Sequence, residues 1–242
     1  SEERTLPQEK AAARAFIENV IKSSKDEAAI LPFEGYAHLE QPLTRDVIGI
    51  YRALALVDVA SPSYTGSAPG LTGITSKPGT IGPPMEGTTA IWDAIALTCR
   101  QVLALSARPR RRAIILLTDG RDTSSRLRRK TAIDQAIESE TIIYAIGIGD
   151  SRQEGVDRAG LNDVAESTGG RAFFPKKEAD LKTAFAEIER ELRSQYLVAY
   201  SSTNKKHDGS FRRMTIEVTN PDLQKEKLRL RHRPGYFAKK TG

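Results

Sequence analysis

A run of five apolar residues that ends in an Asp-Gly turn is the feature that most constrains how this chain can fold. Residues 113–117 read Ala-Ile-Ile-Leu-Leu, and Thr118, Asp119 and Gly120 follow. An unbroken apolar run predicts a strand buried on both faces, as in a parallel sheet covered by helices. Asp119 would then border the crevice where open α/β sheets bind ligands, placed to hold a cation or to do chemistry. It could equally cap a turn in which Gly120 supplies the positive φ.

Apolar periodicity predicts that helices and strands alternate over most of the chain. Helices are predicted over residues 7–22, 45–57, 89–106, 132–139, 161–167 and 178–193, and strands over residues 28–33, 36–39, 113–117, 141–148 and 172–174. The short helix at 161–167 is expected to end at Gly169-Gly170. This alternation predicts an α/β fold of the doubly wound kind, with helices on both faces of a mostly parallel sheet.

Two segments depart from that alternation. Residues 58–86 form a predicted long loop, rich in Gly, Pro, Ser and Thr and without periodicity. Beyond residue 195 the pattern turns β-like at 196–200, 212–219 and 228–232, with turns and no helix expected between these runs. We therefore divide the chain into an α/β domain (1–195) and a β extension packed on it (196–242).

Composition narrows the class of protein. The net charge is +6, with basic clusters at 108–112, 126–130 and 225–233. Such clusters can bind nucleic acid, but the first two flank a predicted buried strand and few aromatic residues are interleaved, which disfavours that partner. No apolar run approaches the ~20 residues of a membrane span. The single cysteine, Cys99, lies in an apolar run and is predicted to be a buried, inert thiol.

The motifs that would indicate an enzyme are missing from the sequence. It contains no phosphate-binding Gly-x-x-x-x-Gly-Lys-Ser/Thr loop, no Gly-x-Gly-x-x-Gly after a first strand and no Gly-x-Ser-x-Gly elbow. None of the three histidines is expected beside Asp119. Hydrolysis by the carboxylate pair Asp119 and Asp122 is the remaining enzymatic alternative, and we predict that the chain is not an enzyme.

Four motifs together resemble the von Willebrand factor type A domain, and most of all a bacterial secreted branch of that family. Residues 87–95 (GTTAIWDAI) are similar to the family's Gly-Gly-Thr-x-Leu-Tyr-Asp-Ala, and residues 117–122 resemble its Leu-x-Asp-Gly-x-Asp. Residues 143–149 resemble the next strand, and residues 161–174 resemble Leu-x-x-Ala-x-x-Thr-Gly-Gly-x-x-Phe. The resemblance implies a Rossmann-like fold and an extracytoplasmic location.

The resemblance also implies a metal-ion-dependent adhesion site. The family holds Mg²⁺ (Mn²⁺ or Ca²⁺ in its place) through hydroxyl and carboxylate oxygens, which suits the oxygen preference of these ions. The implied metal ligands are Ser1, Thr89 and Asp119, and the implied partner contacts are Thr88, Gly120 and Asp122. A carboxylate of a protein partner would complete the metal's coordination. Thr89 has a second interpretation, as the N-cap of the following helix.

The sequence departs from the family at its amino end. The family's first strand and the Asp-x-Ser that follows it are absent, and Ser1 aligns with the last serine of that motif. In the family order the missing strand lies between the strands at 28–33 and 113–117, so its absence would leave unpaired backbone groups. Another segment, a neighbouring chain or closure of the sheet could fill that slot, or this sequence could lack a piece that the natural protein has. Two functions follow as alternatives: a protein-binding module with a divalent-metal site, or a scaffold whose metal site is incomplete.

Overall fold

A three-stranded parallel sheet is the centre of the fold. In the computed structural model the described residues are 2–21, 26–33, 36–57, 89–103, 111–118, 121–149, 156–196, 198–226, 228 and 230–240, so the predicted loop at 58–86 falls wholly outside them. The parallel strands are β3 (Arg112–Thr118), β4 (Thr141–Gly147) and β5 (Ala172–Phe173), in the order β3-β4-β5. The register pairs Arg112 with Thr141 and Thr118 with Gly147.

Helices cover both faces of this sheet, which confirms the predicted doubly wound α/β class. The helices are α1 (Glu2–Val20), α2 (Val47–Leu56), α3 (Ile91–Leu97), α4 (Arg129–Glu138), α5 (Arg158–Ser167), α6 (Glu178–Arg193) and α7 (Pro221–Lys225). A π-helical segment, Thr98–Leu103, continues α3. Because side chains alternate along a strand, Ile143 and Ala145 of β4 pack with α3, α4 and α5, whereas Tyr144 and Ile146 pack with α1 and α6.

The apolar run at residues 113–117 is a strand, but it is less buried than its neighbour β4. Five of the seven residues of β3 are only half-buried, against one of seven in β4. Among the described residues β3 pairs with β4 alone, so its second edge lacks a described partner. The two faces of β3 are covered by helices, as predicted. Full burial of both faces is not reached among the described residues, where β3 has a neighbouring strand on one edge only.

A separate antiparallel pair stands beside the parallel sheet. It consists of β1 (Ala28–Ile30) and β2 (Gln41–Thr44), and the second strand lies a few residues later than the predicted 36–39. Helix α2 joins this pair to α1, since Lys10 Nζ donates to the Ala55 carbonyl at 3.1 Å and the Arg14 guanidinium lies 4.5 Å from the Tyr51 ring centroid. Among the described residues, β1 and β3 therefore belong to different sheets. The slot predicted between them stays a prediction.

Helix α5 ends as its sequence predicts. Gly169 has a φ of +86°, and its N–H donates to the Glu166 carbonyl, while the Gly170 N–H donates to the Ala165 carbonyl. This is the Schellman pattern, for which glycine is the preferred residue because it tolerates a positive φ. Gly170 is also required by packing, since a Cβ there would lie 2.0 Å from the Ile143 carbonyl oxygen.

The carboxyl-terminal extension has less regular structure than expected. Its strands are β6 (Phe211–Arg213) and β7 (Gly235–Phe237), which pair antiparallel. The prediction that no helix intervenes is wrong, because α7 forms between the two strands: the Asn220 side chain accepts the Asp222 N–H at 2.9 Å, and proline occupies the first turn. Strand-like alternation at 196–200 and 228–232 yields no strand among the described residues there. No helix in the described part of the chain is long and apolar enough to cross a membrane.

The buried position of Ile146 predicts a large loss of stability on truncation. Ile146 is 0% exposed, so Ile146→Ala should lower the free energy of unfolding by about 2–5 kcal/mol through lost burial and the cavity left behind. Ile48→Ala is the matched control, because Ile48 is 62% exposed and the same substitution should change stability by less than about 0.5 kcal/mol there. Urea unfolding followed by circular dichroism measures both; equal losses would contradict the assigned core.

Cys99 is buried at the end of α3, as predicted, and burial raises the pKa of its thiol. Because the thiolate is the reactive form, native protein should react slowly with Ellman's reagent, and protein unfolded in guanidinium chloride should react at the rate of a free cysteine. Reaction of the native protein as fast as that of the unfolded protein would show that the thiol is accessible.

Candidate functional site

The start of α3 and the loop after β3 form one hydrogen-bonded unit at the carboxyl ends of the parallel strands. Thr89 and Thr123 are paired twice: the Thr89 N–H donates to the Thr123 hydroxyl at 2.8 Å, and the Thr123 N–H donates to the Thr89 carbonyl at 2.8 Å. The Ser124 N–H donates to the same carbonyl at 3.2 Å. These contacts use main-chain atoms of Thr89, and none of them uses its hydroxyl.

Helix α3 is capped by the neighbouring loop rather than by its own preceding residue. Its N-cap residue, Ala90, has no side-chain oxygen, so the first N–H groups need other acceptors. The Asp122 carboxylate accepts from the Ile91 N–H at 2.8 Å and from the Trp92 N–H at 3.4 Å. The Ser125 hydroxyl accepts from the N–H groups of Trp92 and Asp93 and donates to Asp122. A capping role for the Thr89 side chain is therefore not what the structure shows.

The helix in turn fixes the loop. The Asp93 carboxylate accepts from the Arg126 N–H at 3.0 Å and from the Leu127 N–H at 2.9 Å. Asp93 lies in the first turn of α3, where a negative charge is also favoured by the helix dipole. Asp122 therefore holds the helix while Asp93 holds the loop, and we call residues 89–93 and 122–127 together the reciprocal cap.

Arg129, at the first position of α4, connects three helices beside the reciprocal cap. Its Nε lies 2.9 Å from the Asp163 carboxylate, its Nη1 lies 3.7 Å from the Asp157 carboxylate, and its guanidinium carbon lies 5.9 Å from the centre of the Trp92 ring. The Asp157 side chain also caps α5 by accepting the Gly160 N–H at 2.9 Å. These contacts tie the starts of α3, α4 and α5 together on the same side of the sheet.

The predicted site residues fall into two groups. Thr89 and Asp122 are described, both are half-buried, and both belong to the reciprocal cap. The other four predicted residues, Ser1, Thr88, Asp119 and Gly120, lie outside the described residues, so their roles stay predictions. Among the residues the structure describes, no three His, Cys, Asp or Glu side chains form a metal-binding group.

Sequence reasoning missed Asp93, Thr123 and Ser125. Asp93 belongs to the motif at 87–95, and its polar side chain amid apolar neighbours was a usable signal. Thr123 and Ser125 gave no comparable signal, because short hydroxyl side chains are common in loops and their partners are more than thirty residues away in the chain.

Helices cover both faces of the parallel sheet, and polar loops are joined at the carboxyl ends of its strands. These features define the class of open doubly wound folds, which bind ligands at that end of the sheet. Residues 80–187 match the model of the von Willebrand factor type A domain family. The chain therefore contains a von Willebrand factor type A domain, as the sequence motifs predicted. No curated protein matches the chain.

Solved structures with the same fold include three bacterial proteins. A von Willebrand factor type A protein from Catenulispora acidiphila is 17% identical with a TM-score of 0.56, over 77% of this chain and 38% of that one. Conserved hypothetical protein BatB from Bacteroides thetaiotaomicron is 21% identical with a TM-score of 0.53, over 78% and 89%. The vWF domain of the type V pili tip protein Mfa5 from Porphyromonas gingivalis is 13% identical with a TM-score of 0.53, over 80% and 91%. The chain thus spans well under half of the Catenulispora protein, and at these identities the likeness concerns the fold.

The reciprocal cap predicts that two carboxylates of this edge stabilise the domain. Asp122→Ala and Asp93→Ala each remove the acceptor of two main-chain N–H groups, so each should lower the free energy of unfolding by about 1–3 kcal/mol. Asp222→Ala is the control, because that carboxylate is 86% exposed and forms a surface ion pair, which is worth little. Urea unfolding curves measure the differences.

A free energy of unfolding equal to that of Asp222→Ala in both variants would contradict the prediction, because it would show that the hydrogen bonds of the reciprocal cap do not stabilise the folded state. A double variant sharpens the result. The two carboxylates brace the same two segments, so their effects should be non-additive when Asp93→Ala and Asp122→Ala are combined.

Proposed function

We propose that the chain is a non-enzymatic protein-binding module that engages an acidic group of its partner through a divalent cation. The observation that carries the proposal is the pairing of Thr89 with Thr123, because it brings a predicted ligand to the loop that starts at Asp119. In the sequence, Asp119 directly follows Thr118, which is the last residue of β3. The Thr118 carbonyl accepts the Ile148 N–H at 2.8 Å at the carboxyl ends of the parallel strands.

The donor chemistry at this edge fits Mg²⁺. Thr89 would supply a neutral hydroxyl oxygen, Asp119 a carboxylate oxygen, and Ser1 a second hydroxyl, which is the hard-oxygen set that Mg²⁺ prefers. The ion would supply a positive charge with an open position for an external carboxylate. The reciprocal cap would orient Thr89, and Thr88, Gly120 and Asp122 would contact the partner around that position.

An adhesive role agrees with one of the structural neighbours and with the absence of an enzyme motif. Mfa5 is a type V pili tip protein, so one protein with this fold belongs to a surface fibre. We extend that setting to this chain and propose that it acts outside the cytoplasm. The hydrolase alternative loses its second carboxylate, since Asp122 accepts from two main-chain N–H groups and from Ser125 and is engaged in holding α3.

Magnesium titration of the EDTA-treated protein by isothermal calorimetry tests the proposal. We expect saturable binding of one ion, at least tenfold weaker in Asp119→Ala, and several-fold weaker in Thr89→Ala because a neutral ligand contributes less than a charged one. Thr183→Ala is the matched control for the threonine, since its hydroxyl donates to a main-chain carbonyl within α6, far along the chain from the reciprocal cap.

Two outcomes would contradict the proposal. Unchanged magnesium affinity in Asp119→Ala would show that the ion is held elsewhere. Absence of heat with Mg²⁺, Mn²⁺ and Ca²⁺ alike would favour the scaffold alternative, in which the fold persists but the site is incomplete.

A further inference from the structure

The positive charge of this protein is concentrated at its carboxyl end. Residues 196–242 contain 11 Lys and Arg against 4 Asp and Glu, which gives +7, whereas residues 1–195 contain 26 against 27, which gives −1. The whole net charge of +6 therefore arises from the extension. A field so confined attracts anionic partners to one part of the surface.

The same extension carries most of the exposed apolar side chains. Of the eleven large hydrophobic residues exposed in the described part of the chain, eight lie beyond residue 195. They are Tyr196, Val198, Tyr200, Phe211, Ile216, Leu223, Leu228 and Leu230. Scattered exposed apolar residues need no explanation, but a concentration of them in one basic segment indicates an interaction surface.

Contacts bring part of this set together around the β6–β7 hairpin. The main chains of Asp208 and Lys240 form an isolated antiparallel β-bridge, and the ring centroids of Phe211 and Phe237 lie 5.2 Å apart. The Arg212 guanidinium donates to the carbonyls of Asn204 and Lys206, which folds the 204–206 turn against β6. The Tyr200 ring lies 6.3 Å from that of Tyr236, which is a residue of β7.

We call the exposed residues grouped by these contacts the hairpin patch: Tyr200, Lys205, Lys206, Phe211, Lys239 and Lys240. Tyr200 is 59% exposed and Phe211 is 43% exposed, and all four lysines are exposed. Asp208, the one carboxylate in residues 204–210, has a side chain 45% exposed; it accepts from the N–H and the hydroxyl of Ser210 and lies 3.7 Å from Arg212. The hairpin patch therefore combines four exposed lysines with two exposed aromatic rings.

We propose that the hairpin patch binds the surface of an anionic lipid bilayer. Lysine side chains are attracted to anionic headgroups, and tyrosine and phenylalanine rings insert at the level between headgroups and acyl chains. A bilayer can accept such a combination of lysines and aromatic rings without a shaped binding groove. Nucleic acid would use the same lysines, so RNA binding is measured as the alternative outcome.

The hairpin patch is separate from the reciprocal cap. Strand β7 is anchored by residues at the amino ends of the parallel strands: Arg233 pairs with Glu140 at 3.0 Å, and the main chain at His232 and Arg233 packs against Gly169. Glu140 immediately precedes β4, whereas Thr89 and Asp122 lie at the carboxyl ends of the strands. Lipid binding would therefore leave the proposed metal site accessible.

Co-flotation of the purified full chain with lipid vesicles tests this proposal. We expect binding to vesicles of phosphatidylcholine with phosphatidylglycerol and none to phosphatidylcholine alone. Lys239→Glu with Lys240→Glu should weaken the binding at least tenfold. The matched control is Lys176→Glu with Lys177→Glu, an adjacent pair of exposed lysines in the α/β domain with the same change of charge, which should weaken it less than twofold.

The aromatic side chains supply a second readout. Tyr200→Ser with Phe211→Ser keeps every charge and should make binding more sensitive to salt, since the remaining attraction is electrostatic and therefore screened. Circular dichroism and urea unfolding verify that each variant is folded. Equal loss in the two lysine pairs, equal binding to neutral vesicles, or binding to RNA without binding to anionic vesicles would each overturn the proposal.

Discussion

The exchange of hydrogen bonds between the start of α3 and the loop after β3 is the constraint on which the candidate site depends. A parallel sheet brings the carboxyl ends of its strands to one edge, but it does not fix the loops that leave that edge. Here Asp122 and Ser125 cap the helix, and Asp93 fixes the loop. The donors are main-chain N–H groups at the start of a helix or in a loop, where no helical hydrogen bond satisfies them. A hydrogen bond from such an N–H group to a charged carboxylate is stronger than one to a neutral acceptor.

The open edge of β3 is the second organising feature. Its residues 113–117 are as apolar as those of β4, yet most remain half-buried, because among the described residues the strand has one neighbour and β1 pairs elsewhere. Sequence alone does not show that β3 is only half-buried, because an apolar run indicates how a strand would be buried in a complete sheet. It does not report whether its neighbours are present. The slot was inferred from the order of strands in the family, and it stays a prediction.

The helices and parallel strands of the α/β domain were predictable from sequence to within a few residues, and Glu178–Arg193 was predicted with its full bounds. Those elements have strong periodicity and clear end signals, such as Gly169 after α5. The β extension was predicted less well. Its runs at 196–200 and 228–232 have the alternating pattern that is typical of strands. That pattern indicates only that a segment favours extended structure, and a strand also needs a neighbouring strand with which to pair. In the candidate site, Thr89 and Asp122 were found through a motif, whereas Thr123 and Ser125 are defined by contacts distant in sequence.

The distribution of charge gives the two ends of the domain different roles. The α/β domain has a net charge of only −1, and in the proposed function a partner at the edge with Thr89 and Asp122 would be selected by short-range oxygen coordination. The extension carries the entire net positive charge, and its field extends about one Debye length, ~8–10 Å at ordinary ionic strength. The hairpin patch would act at long range with little selectivity, whereas the proposed metal site would act at short range and selectively. The two lie at opposite ends of the parallel strands, so they could act in sequence. If both proposals hold, the hairpin patch would concentrate the protein at an anionic surface and the metal site would select a partner there.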